Sequence, residues 1–253
     1  MSNSKKHAIL LTLSLLLLTS NASASTITDK RKHSSPSRQL TRSESREAEQ
    51  RLSEMGYSTG RVDGAIDSTT KNGLIVFQKW EGRKITGRLT RDEFEAIMSA
   101  EAPQPKDPGY KHVEVNVDRQ VLLLTDNEGR VQRILPVSTG SNKRYREKRM
   151  SGLAYTPRGR FRIYNKISGW RRSPLGLLYY PNYFSDGLAI HGNPSVPNLP
   201  QSHGCIRIPM SAAVAVFKQL RVGTIVLIYD SESFVSAKDW AEADKQKDAL
   251  SVK

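Results

Sequence analysis

The chain has 253 residues and carries 39 Lys and Arg against 25 Asp and Glu, a formal charge of +14. That length allows one large domain or two small ones. An apolar share of 37%, with 7% aromatic residues, fits a soluble globular protein and excludes a disordered or collagen-like chain. The single cysteine excludes an intramolecular disulfide framework.

The first 24 residues read as a secretory signal. Lys5 and Lys6 form its basic start, Ala8 to Leu18 its apolar run, and Ala22-Ser23-Ala24 a small-residue cleavage site. The run is shorter than the roughly 20 apolar residues of a spanning helix, and no later stretch is long enough, so no transmembrane span is expected in the mature chain. Two Lys and no acid leave with the signal, so about +12 remains. The expected place is the periplasm, because no lipid or sorting motif follows. A basic exported chain meets phospholipid or carboxylate-rich wall polymer. Export and the lack of a recognition motif argue against nucleic acid as a partner.

Residues 25–43 are polar and basic and read as a flexible leader. Residues 44–100 read as a small all-α module of three helices. Ala48, Leu52 and Met55 share one helical face, and Gly56 is placed to end that helix. Thr70, Leu74 and Phe77 repeat the spacing. Thr90 and Glu93 form a capping-box pattern before Phe94, Ile97 and Met98. Leu52, Gly56-Tyr57, Gly60, Val62-Asp63-Gly64, Thr70, Phe77-Gln78, Gly87 and Thr90 stand in the order of a known family. This module resembles the peptidoglycan-binding-1 family, with Asp67 where a Gly is common. The resemblance implies wall binding; the lesser alternative is a spacer domain.

Residues 101–110 are Pro-rich and read as an extended, semi-rigid linker. From residue 111 the period becomes that of strands. Val113, Val115 and Val117 alternate with polar residues, and Val121 to Leu124 are expected to continue that strand. Asp126-Asn127-Glu128-Gly129 reads as a turn before Val131 to Val137. Leu188-Ala189-Ile190 reads as a strand ending on His191. Ser211 is expected to cap a helix that Gly223 stops, and Thr224 to Tyr229 closes the domain, 111–230. The expectation is a mainly β domain with a short helix. Residues 231–253 are charged and read as a helix or frayed tail.

A lone thiol outside the cytoplasm is an oxidation liability, so its neighbours matter. Two of the chain's histidines, His191 and His203, lie within 14 residues of Cys205. A thiolate attacks carbonyls where a thiol does not. An imidazole in reach can take the thiol proton, or stand with it as an ion pair. Gly204 permits backbone that a β-carbon forbids, so amides there can face an oxyanion. The spacings match no common zinc motif, so neither metal nor cofactor is expected.

His191-Gly192 with Ser202-His203-Gly204-Cys205-Ile206-Arg207, preceded by Ser138-Thr139-Gly140 and Thr156-Pro157-x-Gly159-x-Phe161, resembles the L,D-transpeptidase catalytic family, or YkuD fold, over roughly residues 111–230. The loop from His191 to Cys205 looks slightly shorter than usual. The resemblance implies a YkuD-like β-sandwich and a peptidoglycan acyl transferase that needs no cofactor. It implies Cys205 as nucleophile and His191 as general base, its ring oriented by the Gly192 carbonyl. It places His203 in the oxyanion and substrate site and gives the amides near Gly204 and Cys205 the oxyanion. Arg207 would bind a stem-peptide carboxylate or brace the loop, Ser202 would support the loop, and Tyr183 would line the donor cleft with its aromatic neighbours or pack in the core. Partners would be donor and acceptor stem peptides, or a wall-anchored lipoprotein. An L,D-carboxypeptidase, a crosslink-cleaving hydrolase and a non-enzymatic wall-binding protein share the same features. The basic run 143–149 reads as a solvated face, or as a lid or polymer contact.

Overall fold

A computed structural model describes residues 39–147 and 150–242. The signal, most of the leader and the end of the tail lie outside the described residues. Three helices come first: α1 (Arg42–Glu54), α2 (Ser68–Trp80) and α3 (Arg91–Ser99). Each begins on a side chain that accepts orphan backbone N–H groups. Thr41 and Glu44 form a full capping box on α1, and Thr90 accepts from Glu93 on α3. Asp67 accepts from Thr69 and Thr70 at α2, which explains an aspartate at that position. Gly56 follows the C-cap of α1 with φ +92°, a left-handed exit that glycine adopts without strain.

The β region runs β1 (His112–Asn116), β2 (Val121–Thr125), β3 (Val131–Pro136), β4 (Arg144–Glu147), β5 (Met150–Leu153) and β6 (Gly159–Arg162). It continues with β7 (Asn165–Lys166), β8 (Trp170–Ser173), β9 (Gly176–Ser185), β10 (Leu188–Asn193) and β11 (Ile206–Pro209). Helix α4 (Met210–Gln219) and β12 (Ile225–Tyr229) complete it. One sheet has the order β3-β2-β1-β12-β6; the second is β11-β10-β9-β7, with β8 also on β9; β4 and β5 pair alone. β1 with β12 and β10 with β11 are parallel.

The sheets face each other across one apolar core. Leu122 and Leu124 of β2, Ile190 of β10, Ile206 and Ile208 of β11 and Val216 of α4 all meet there. Each such side chain contributes about 1.5–3 kcal/mol by leaving water. This sandwich with a short helix is the expected fold class.

Two local expectations change. Val121 to Leu124 do not continue β1; they return antiparallel to it, with Val113 opposite Leu124. The reversal is carried by Gln120 at φ 53°, not by a Gly or Pro. Pro209, not Ser211, occupies the N-cap of α4, and no side chain caps it.

The linker is anchored in its C-terminal half. Backbone N–H groups of Lys106 and Asp107 donate to the Glu114 carboxylate at 2.9 and 2.8 Å. That carboxylate is fully buried on β1, so the linker's amides satisfy a charge that otherwise costs several kcal/mol. The helical module has its own core of Ala48, Leu52, Leu74, Phe77 and Ile97, but Val121, Leu123 and Ile134 of the sheet belong to it as well. β2 is therefore buried on both faces, at all its positions. The N–H of Ile134 donates to the Gly56 carbonyl at 2.8 Å, stitching module to sheet.

Candidate active site

β10 and β11 bring the chemistry together. Ile190 pairs with Ile206 and His191 with Arg207. Side chains alternate across a sheet, so the isoleucines enter the core while His191, Cys205 and Arg207 share the opposite face. All three line one cavity of about 320 Å³, together with Ser202, His203 and Asn193.

His191 is 3% exposed, and its Nδ1 lies 2.9 Å from the Gly192 carbonyl. A carbonyl only accepts, so Nδ1 carries the proton and Nε2 keeps its lone pair. Burial drives the His191 pKa down to about 4; the Gly192 bond opposes this, and the Arg207 charge adds to it. The imidazole is neutral at neutral pH. Burial pushes the Cys205 thiol up, against the Ala189 backbone bond and the Arg207 charge, which both favour thiolate. Of the two resting forms open from the sequence, the environment favours neutral thiol beside neutral imidazole.

Gly192 is fixed by packing. A β-carbon there would sit 2.7 Å from Ala213 Cβ on α4 and 3.0 Å from Tyr179. Gly204 is fixed by conformation as well: φ is +133°, and a β-carbon would come within 2.7 Å of the Tyr155 carbonyl. Its N–H, expected to be an oxyanion donor, instead donates to Ser202 Oγ at 3.0 Å. Ser202 Oγ in turn donates to the Cys205 carbonyl at 2.5 Å, so this serine braces the turn that carries the thiol.

A second layer holds that turn. Thr156 Oγ1 donates to the Gly204 carbonyl and accepts from the Gly140 N–H, both at 2.8 Å. The Ser202 N–H donates to the Thr139 carbonyl at 2.9 Å. Gln120 grips Thr139 from below, accepting its N–H at 2.9 Å and donating to its hydroxyl at 2.7 Å. The Ser138-Thr139-Gly140 and Thr156-Pro157 signatures are thus scaffold for residues 202–205. Gln120 gave no signal in the sequence: Asn116 and Asp118 are turn-forming types, but nothing local reports that the Gln120 side chain reaches Thr139.

His203 sits at the cavity mouth. Its Nε2 is 3.0 Å from Glu147 Oε1, and its ring meets Tyr145 edge-on at 4.7 Å. The β4–β5 hairpin thus brings an acid beside this histidine, from 56 positions away in the sequence. Tyr145 and Met150 of that hairpin line the cavity. The basic run thus forms part of a hairpin edging the cavity; Lys148 and Arg149 lie outside the described residues. Arg207 is half-buried in the cavity with no ion-pair partner among the described residues. Tyr183 does not line the cavity. Its ring packs 6.2 Å from Tyr164, and Phe184 is buried in the core. Tyr179 packs against Trp170 and Tyr180 against Phe217, while the half-buried Tyr183 is close enough to Cys205 to feel its charge. No group of three metal-ligating side chains occurs among the described residues.

The β-sandwich thus sets His191 of β10 and Cys205, one residue before β11, on one cavity. The YkuD family model, described as the L,D-transpeptidase catalytic domain, matches residues 110–228. The PG_binding_1 model, described as "Putative peptidoglycan binding domain", matches residues 41–97. Among solved structures, the L,D-transpeptidase (residues 123–326) from Xylanimonas cellulosilytica is 34% identical with a TM-score of 0.69; the match covers 74% of this chain and 93% of that one. An L,D-transpeptidase from Stackebrandtia nassauensis is 21% identical with a TM-score of 0.44, over 73% of this chain and 90% of that one. A comparison with curated proteins found no match. This chain belongs to the L,D-transpeptidase family and carries an N-terminal peptidoglycan-binding-type module.

Proposed function

We propose that the protein is a peptidoglycan L,D-transpeptidase with Cys205 as nucleophile. The observation that carries this is the shared cavity of His191 and Cys205, with the imidazole held neutral and its Nδ1 committed to the Gly192 carbonyl. Nε2 is the free base. It takes the thiol proton as Sγ attacks the carbonyl carbon of stem residue three. The C–N bond to the terminal D-alanine breaks, and the proton passes to the departing amine. The thioester then meets an acceptor amine, whose proton returns through His191 to the thiol. An acceptor stem gives a 3→3 crosslink; a lipoprotein lysine gives a wall-anchored protein. Arg207, half-buried in the cavity and without an ion-pair partner among the described residues, suits the carboxylate of the donor stem. With the Gly204 N–H committed to Ser202, oxyanion donors come from the rest of the turn around Cys205.

The reading places the mature chain in the periplasm, against the wall, after removal of residues 1–24. The matched peptidoglycan-binding module supports the wall association. The testing experiment incubates the purified chain with a disaccharide-tetrapeptide and weighs products and protein. The expected products are free D-alanine, a tripeptide adduct on Cys205 and crosslinked dimer, all lost in Cys205→Ala. Tripeptide without dimer would make the enzyme a carboxypeptidase. No adduct on Cys205 would overturn the reading.

A further inference from the structure

A second concave surface lies beside the catalytic cavity and is made by both parts of the chain. One cavity of about 230 Å³ lies between α2 and the β3–α4 edge, and another of about 380 Å³ lies beside it. They share Asn72 of α2, Pro136 at the end of β3, and Pro209 and Ser211 at the start of α4. The larger one extends to Asn198 and to Asn193, and Asn193 also lines the catalytic cavity. One groove therefore runs from the helical module to the edge of the Cys205 site.

Its chemistry is selective. A quarter of the chain's residues are charged, yet the 230 Å³ cavity has only Arg133 among its lining residues and the 380 Å³ cavity is lined by no charged residue. Its polar groups are the amides of Asn72, Asn193 and Asn198 and the hydroxyl of Ser211. The side chains of Asn72, Asn198 and Ser211 make no hydrogen bond to another described residue, while Asn193 spends only its Oδ1, on the Ser195 N–H at 2.8 Å. Between them lie proline faces. Unspent amide donors and acceptors beside flat apolar patches fit an uncharged ligand that has both hydroxyls and amides. A stem peptide carries carboxylates and suits the Arg207 side of the site instead.

We infer that this groove is a saccharide site, taking the N-acetylated sugars of the strand whose stem peptide reacts at Cys205. Joined to a stem by its lactyl group, such a disaccharide has no charge and presents two acetamido groups. The groove thus ties the helical module to substrate choice, because Asn72 is supplied by that module. This assignment rests on the peptidoglycan reading above.

Two measurements on the full chain test it. In the first, N,N′-diacetylchitobiose, an uncharged disaccharide with two acetamido groups, is titrated while the side-chain amide resonances of Asn72 and Asn198 are followed; shifts confined to this groove are expected, and their absence at millimolar sugar overturns the inference whether or not Cys205 reacts. In the second, Cys205 acylation is timed with disaccharide-tetrapeptide and with sugar-free tetrapeptide. The double variant Asn72→Ala, Asn198→Ala is expected to raise KM for the sugar-bearing donor by roughly tenfold, as the loss of one or two hydrogen bonds does, and to leave the sugar-free donor unchanged. Exposed Asn198→Ala alone provides a variant with little risk to folding. Equal effects on both donors, or none, overturn the saccharide site while leaving the transpeptidase standing. Failure of wild type to be acylated by either donor overturns the transpeptidase reading instead.

Discussion

Glu147 Oε1 stands 3.0 Å from His203 Nε2, so a carboxylate on the β4–β5 hairpin is tied to the residue two before Cys205. The pair is only partly shielded, at 24% and 52% side-chain exposure. Its worth to global stability is therefore small, about 0–1 kcal/mol, and weakens with salt. Its local effect is larger, because the hairpin otherwise pairs with no other strand among those described.

Glu147→Ala should leave the melting temperature within about 2 °C of wild type. It should also free the hairpin to move from the cavity mouth. A bulky maleimide should then alkylate Cys205 several-fold faster, while small iodoacetamide changes little. Equal rates with both reagents in wild type and variant would show that the pair does not hold the mouth.

The depressed His191 pKa gives two linked pH effects. Acyl transfer needs the neutral ring, so its acid limb should fall near pH 4 and not near the ordinary histidine value. Stability follows the same group. Between about pH 6.5 and 4 the unfolded ring binds a proton that the folded ring refuses, so stability present above that window is lost as pH falls through it. The shift corresponds to about 3 kcal/mol. His191→Gln, which has no such proton, should flatten the urea-unfolding profile over that range and slow acyl transfer by roughly 10²–10⁴-fold. A variant as acid-sensitive as wild type would show that the loss comes from other groups.

Much of this was legible because local chemistry and final role agree. The cap at Thr90, the glycine exit at Gly56 and the His-Gly and Ser-His-Gly-Cys-x-Arg signatures all act within a few residues of themselves, whereas the caps at Thr41, inside the expected leader, and at Asp67 went unread. What stayed hidden is non-local or against type. The β1–β2 turn is built from Val117, Asp118, Arg119 and Gln120, and Gln120 accepts a left-handed backbone because its side chain makes hydrogen bonds with Val117 and Thr139. Glu147 meets His203 across 56 positions of sequence, which no periodicity reports. Burial of β2 on both faces was visible in principle: Val121-Leu122-Leu123-Leu124 is apolar without alternation, the pattern of a strand covered twice.

Thr156 is the joint between the two signatures of the scaffold. Its hydroxyl serves the Gly204 carbonyl and the Gly140 N–H in a fully buried position. Thr156→Val keeps the shape and leaves both backbone groups unpaired, at about 1–3 kcal/mol each. The expected result is a melting temperature lower by several degrees and a slower acylation of Cys205, with Thr156→Ser restoring most of both. If valine acylates at the wild-type rate, Thr156 supports the fold without positioning the turn.

The shared second core makes the last prediction. A Pro-rich segment between a helical module and a catalytic domain invites cutting there, to study the β domain alone. Removal of residues 1–105 would strip Leu52, Leu74 and Phe77 from Val121, Leu123 and Ile134, each of which is fully buried. It would also uncover the edge of β3, where Ile134 donates to Gly56, and cut the linker directly before Lys106, whose amide, with that of Asp107, bonds the Glu114 carboxylate. Burying an aliphatic side chain is worth about 1.5–3 kcal/mol, so these three residues alone represent a large part of a marginal domain's stability. Exposed together on one strand pair, they also form an apolar patch beside an open edge, which favours self-association. The truncated chain should therefore be recovered mostly as aggregate. The triple variant Val121→Thr, Leu123→Thr, Ile134→Thr should restore solubility to it but destabilise the full chain by several kcal/mol. A truncated wild-type sequence that stays monomeric in size-exclusion chromatography and melts as cooperatively as the full chain would show that the module is dispensable to the fold.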